Sequence, residues 1–151
     1  MRFGLPQSYS SGTLGWGFLE FRDSYKAIGE EEHMLEILKH FTDAYLRCTF
    51  LDEDGNVIAF AYMIGEGDGD HTYWGPPELY PEYVPRPAEF ATEEAPGSDV
   101  SASTAASLCT SYLIFKDSDP EYAEECLTVA KALYEFARKY RGLNNGAGYY
   151  T

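Results

Sequence analysis

Positive charge is scarce in this chain. Lysine plus arginine number 11 against 25 aspartate plus glutamate, a formal net charge of −14, and such a balance repels a polyanion, which argues against nucleic acid as a partner. Cysteine is scarce as well: Cys48, Cys109 and Cys126 show no CxxC or CxxH spacing, so neither a disulfide framework nor a zinc site is signalled. They read as small buried hydrophobes. Apolar runs of membrane-spanning length are missing, which argues against a membrane span. The start, Met1-Arg2-Phe3-Gly4-Leu5-Pro6, lacks the charged segment and apolar run of a signal peptide.

Aromatic rings, in contrast, are plentiful: 16% of the chain, with 13 Tyr, 9 Phe and 2 Trp. They suit a packed core and equally the apolar face of a pyranose ring, so composition alone does not choose. A length of 151 residues is that of one ordinary domain.

Four helices are legible. The first is expected over about 12–28, with Ser11 as cap, Leu14, Phe18, Phe21 and Tyr25 in helical period, and Gly29 as stop. The second, about 30–49, opens with Glu30-Glu31-Glu32 at the positive end of its dipole and puts Met34, Ile37, Leu38, Phe41, Tyr45 and Cys48 on one face, leaving Lys39 and Asp43 solvated. The third, about 98–116, carries Ala102, Ala105, Ala106 and Ser107, small enough for close helix approach. The fourth, about 119–141, has Asp119 as cap, Pro120 at its first position, and Arg138, Lys139 and Arg141 before Gly142. Its second apolar row, Val129, Ala132 and Phe136, needs cover that four helices do not easily provide, which implies neighbours outside the chain.

Residues 51–97 break this pattern. Asp54-Gly55 signals a turn, and Val57, Ala59 and Ala61 alternate like a strand, predicting a short strand pair. The remainder, rich in proline and acids, reads as a long functional loop. Neither Asp52-Glu53-Asp54-Gly55-Asn56 nor Asp68-Gly69-Asp70 has the loop spacing of a calcium site.

Ordered segments along nearly the whole chain resemble glycoside hydrolase family nine. They are Arg2-Phe3-Gly4-Leu5-Pro6 with Thr13-Leu14-Gly15-Trp16-Gly17; Gly65-Glu66-Gly67-Asp68-Gly69-Asp70-His71-Thr72-Tyr73-Trp74-Gly75-Pro76-Pro77-Glu78; Arg86-Pro87-Ala88 with Pro96-Gly97-Ser98-Asp99; and Phe136-Ala137 with Tyr140-Arg141-Gly142. Asp70-His71-x-x-Trp74-x-x-Pro77-Glu78 is the most specific of them. Departures are Ser103 where the family commonly has glutamate, Gln7 for methionine and Pro76 for arginine.

The resemblance implies a mainly α fold: a partial (α/α)6 barrel, of which residues 1–151 would form a single incomplete catalytic domain with 51–97 as cleft loop. It implies an inverting endo-β-1,4-glucanase acting on cellulose or β-glucan, whose parent enzyme is exported; no cofactor or metal is expected in this chain, since the calcium site often seen in the family would lie outside it. Inversion needs one carboxylate to activate water and one carboxylic acid to protonate the leaving oxygen, roughly 6.5–9.5 Å apart. In the family these lie before the Phe-Gly-Leu-Pro segment and near the far end of the domain, so this chain is expected to be a truncated form without them.

Substrate contact is what remains. By resemblance His71 donates to a sugar hydroxyl and Trp74 stacks, with Tyr73 either touching sugar or shaping the loop beside Asp70, Pro77 and Glu78. Two other readings stay open. One is a non-catalytic β-glucan-binding module. The other is a small autonomous glucanase that self-associates through uncovered helix faces and uses acids of the 66–78 loop, namely Glu66, Asp68, Asp70 and Glu78.

Overall fold

The computed structural model describes residues 2–65 and 67–144. In chain order the elements are β1 (Arg2–Phe3), α1 (Gly4–Ile28), α2 (Glu31–Cys48), β2 (Thr49–Leu51), β3 (Val57–Ile64), α3 (Gly67–Thr72), β4 (Ala88–Ala91), α4 (Ser98–Phe115) and α5 (Pro120–Lys139). A 3-10 turn, Pro77–Leu79, lies between α3 and β4. Four long helices thus dominate, and none of the helices among the described residues is long and apolar enough to cross a membrane.

Helix α4 is the centre. Its buried residues, from Val100 to Phe115, lie on several sides of the helix because it packs between α1 and α5. The buried face of α1 is Gly4, Ser8, Ser11, Gly15 and Phe18, a repeat of four and three made almost entirely of small residues; Gly4 abuts Tyr62 of β3, and the rest meet α4. A Cβ on Gly15 would stand 2.5 Å from Thr110 Oγ1, so glycine sets how closely the two helices approach. Hydroxyls take the place of apolar side chains in this seam. Ser8 donates to Ser103 (2.8 Å), Ser11 bonds both Tyr45 and Ser107 (2.7 Å each), and Thr42 pairs with Ser111 (2.8 Å), tying α1, α2 and α4 together. These bonded hydroxyls are tolerable in the interior because they satisfy one another.

Helix α1 therefore begins at Gly4, about two turns before the serine that the sequence suggests as its cap. Ser11 lies inside the helix, 2% exposed. The C-terminus matches expectation: Gly29 adopts φ 78°, its N–H reaches Lys26 O, and Glu30 N–H reaches Tyr25 O, the paired bonds of a glycine-terminated helix. On α2, Leu38, Thr42 and Tyr45 are buried. Lys39 and Asp43 are not simply solvated, because Tyr122 of α5 donates to Asp43 Oδ1 (2.7 Å) and lies under Lys39 Nζ, 3.2 Å from the ring centroid. Burial, with Asp43 accepting that proton, pushes the Tyr122 phenol far above its ordinary range.

The expected strand pair is part of a four-stranded antiparallel sheet. β3 is its hub. β2 pairs with it through the turn at Asp52–Asn56, where Asp52 Oδ1 accepts from Asp54 N and Asn56 N and Gly55 takes φ 82°. β4 pairs with residues 60–64, and β1 with Met63 and Ile64, so β1 and β2 share the edge opposite β4. Val57 and Phe60–Met63 are buried.

This sheet also answers the second apolar row of α5. Val129 and Phe136 belong to one core with Val57, Phe60, Tyr62 and Met63, and Ala132 packs against it, so the cover comes from β-structure inside the chain. After α5 the chain returns to the start of α4: Gly142 exchanges bonds with Ser98, and Asn144 donates to Asp99. What stays uncovered is an apolar groove of about 630 Å³ between α1 and α4, edged by Trp16, Cys109 and Leu113.

Candidate functional site

The segment with the most specific motif is the connection between β3 and β4. Its neck is closed by pairing of Ile64 with Ala88 and by the bond from Gly65 N–H to Pro87 O (2.8 Å), Gly65 taking φ 111°. Between these points the chain makes α3, the 3-10 turn and the return through Arg86.

Polar links hold the excursion. The Asp70 side chain is only 5% exposed and meets Arg86 Nη1 at 3.0 Å. The Arg86 guanidinium lies over the Tyr80 ring, 5.0 Å from its centroid, and Tyr80 meets Tyr73 edge to face at 5.1 Å. Tyr73 donates its hydroxyl to Pro76 O (3.0 Å), which closes the turn after Trp74. Asp70, Arg86, Tyr80 and Tyr73 form a small core of the loop's own, of the kind that keeps compact loops in shape.

His71 is fixed from two directions. Its Nδ1 lies 2.6 Å from Gly67 O, and its ring lies 5.7 Å from that of Phe3 on β1, tilted by 31°. Trp74 is the opposite case, 98% exposed. Leu79 and Tyr83 of the same excursion are also largely exposed, so the loop presents several large apolar side chains to water.

Of the candidate residues, the fold brings Asp70, His71 and Tyr73 into one turn of chain and leaves Trp74 projecting beside them. Asp68 and Glu78 are exposed, and Glu66 lies outside the described residues. Arg86, Tyr80 and Phe3 were not singled out from sequence as site residues. Arg86 stood in a quoted motif, but its pairing with a carboxylate sixteen positions away is a tertiary fact.

Elsewhere, a hollow of about 730 Å³ lies between α5 and the β2–β3 turn, lined by Lys131, Glu135, Arg138, Lys139 and Arg141 among others. None of the candidate residues lines it. Its cations crowd the end of α5, where they offset the helix dipole, and Glu135 is bound by Arg138 at 2.7 Å.

Helices paired around a hydroxyl-lined seam, carrying an aromatic loop that leaves a tryptophan exposed, make up a mainly helical unit with a small antiparallel sheet. Glycosyl hydrolase family 9 matches residues 1–151, and the chain belongs to that family. It is 39% identical over 142 residues to endoglucanase A of Bacillus pumilus, which covers 94% of this chain and 20% of the relative. Among solved structures, the catalytic domain of CelT from Clostridium thermocellum superposes with a TM-score of 0.94 at 46% identity, covering 99% of this chain and 31% of that one. The cellulase Cel9M of C. cellulolyticum, solved in complex with cellobiose, gives a TM-score of 0.88 at 40% identity over 99% of this chain and 33% of that one. The chain thus spans about a fifth of the length of the curated relatives first matched and about a third of the solved catalytic structures.

Proposed function

We propose that this chain is an N-terminal portion of an inverting endo-β-1,4-glucanase domain, and that its loop forms one wall of the glucan groove, with Trp74 as stacking surface and His71 as polar contact. The observation that carries this reading is the fully exposed indole at position 74 beside a fixed imidazole. An indole face stacks on the apolar face of a pyranose, and a loop with its own small core presents it without paying to order it at the moment of binding. The cellobiose found with Cel9M supports the ligand class.

In this reading the acids of the loop are not the pair that performs inversion. Asp70 is engaged by Arg86, while Asp68 and Glu78 stand exposed. In this reading the two carboxylates come from parts of the domain beyond these residues, and the open groove at Trp16 is where further helices of the barrel pack. The parent enzyme is exported to reach an insoluble polysaccharide.

The test is incubation with carboxymethyl cellulose together with a cello-oligosaccharide titration followed by tryptophan fluorescence. The expected result is no reducing ends above blank, and a saturable fluorescence change at millimolar ligand that Trp74→Ala removes. Turnover abolished by Asp68→Asn or Glu78→Gln would instead establish an autonomous glucanase, and absence of any fluorescence change would reject the groove.

A further inference from the structure

We infer that the hollow between α5 and the β2–β3 turn, together with a smaller one beside it, seats an extended peptide segment of a partner protein in which acids are followed by bases. The chain has 11 lysines and arginines against 25 acids, yet Lys131, Arg138, Lys139 and Arg141 all line the first hollow, and Glu135 is the one acid among its described lining residues. The helix dipole accounts for only part of this concentration. Its effect falls off within the last turn, which holds Arg138 and Lys139. Lys131 lies two turns earlier and makes no hydrogen bond or ion pair with a described residue. Arg138 is neutralised by Glu135 at 2.7 Å, so Lys131, Lys139 and Arg141 set the sign of the hollow.

The second hollow, of about 350 Å³, carries the opposite sign. It shares Lys139 and Tyr140 with the first and adds Asp52, Glu93 and Glu94. Positive and negative seats therefore adjoin, with Tyr140 half-buried between them.

This pairing selects the kind of partner. Lys131 and Lys139 stand eight positions apart on α5, about 12 Å along its axis, so an anion the size of phosphate meets one end of the row and leaves the other unanswered. A uniform polyanion spans the row but then runs onto Asp52, Glu93 and Glu94, where it is repelled. A peptide changes sign along its length, and about four extended residues cover the distance from Lys131 to Lys139. Its acids meet α5 and its bases meet the acids after β4, an arrangement that rejects other patterns as well as attracting the right one.

Exposed charge pairs are individually weak and screened by salt. Binding is therefore expected near 0.1 mM at low salt and about tenfold weaker at 200 mM salt. The test titrates the whole chain into a fluorescein-labelled peptide with a block of glutamates followed by a block of lysines, read by anisotropy. A peptide of the same composition with the two residues alternating, an all-glutamate peptide and inorganic phosphate serve as competitors. Lys131, Arg141, Glu93 and Glu94 are all exposed, so charge reversals there leave the fold intact, which thermal melts verify. The block peptide is expected to bind at least about fivefold tighter than the alternating one, and Lys131→Glu with Arg141→Glu to weaken it about tenfold. Glu93→Lys with Glu94→Lys should shift the preference to the all-glutamate peptide. Equal binding of block and alternating peptides overturns the inference, as does tightest binding of all-glutamate to the unaltered chain or displacement by millimolar phosphate. A dimer of the chain alone in sedimentation, abolished by Lys131→Glu with Arg141→Glu, would assign the face to a second copy and overturn it too.

Discussion

The helical scaffold and the β3–β4 excursion are held by different means. The scaffold relies on close approach: at Gly15 α1 meets α4 at a distance that leaves no room for a methyl group, and Ser8, Ser11 and Thr42 each bond a serine of α4. The excursion relies on a few polar and aromatic links around Asp70 and Arg86, one of them partly exposed. Damage to the first should therefore unfold the molecule, while damage to the second should loosen one loop and leave the rest standing, because stability is distributed unevenly across a structure.

Gly15→Val attacks the scaffold at its tightest point. A Cβ would stand 2.5 Å from Thr110 Oγ1, and overpacking of this kind costs about 3 kcal/mol at its upper range. A large drop in the urea midpoint is expected; an unchanged midpoint would show that α1 and α4 slide apart freely. Arg86→Gln attacks the loop. Leaving Asp70 without its cation should cost about 1–2 kcal/mol after allowance for the exposure of Arg86. Hydrogen exchange should accelerate across 67–87 with the amides of α4 unaffected, and a global loss of protection would erase the distinction between the regions.

The cysteines sharpen the same contrast by titration. Burial, aided by Glu125, pushes the Cys126 thiol up to about 12, and burial also raises that of Cys109 at the rim of the α1–α4 groove. For a thiol raised on folding, the stabilising contribution is complete below its unfolded value and is lost only as pH climbs toward about 12. Between pH 7 and 9 a thiol reagent should therefore label Cys109 slowly and Cys126 only on unfolding; native labelling of Cys126 would show that α5 opens locally. Smallest of all should be the stability change for Trp74→Ala, within about 0.5 kcal/mol because the ring touches so little. A larger loss in thermal melts would assign the indole to the fold instead of the groove.

What was legible in the sequence follows the same division. Helices α2 and α5 show themselves through apolar period and local signals, and α4 through its small residues: Asp119 does accept from Tyr122 N, and Gly29 does close α1. The first two turns of α1 are invisible to that method because their buried positions, Gly4, Ser8 and Ser11, are not apolar. The sheet was seen only in part. Its hub β3 is buried over four consecutive residues, Phe60–Met63, which hides alternation, and β4 sits in a segment dense in proline and acid. His71 and Trp74 stood out because a motif marks them. The reason His71 is held where it is, a strand residue at position 3 and a carbonyl one turn back, depends on tertiary neighbours that no local pattern announces.

The closed neck at Gly65 and Pro87 makes the excursion a cassette. Because its two ends leave adjacent strands one hydrogen bond apart, residues inserted near Tyr83 lengthen the tip without shifting the register of β3 on β4, and each doubling of loop length costs only about 0.6 kcal/mol in closure entropy. The length of this one span can thus change while the helices beneath keep their packing.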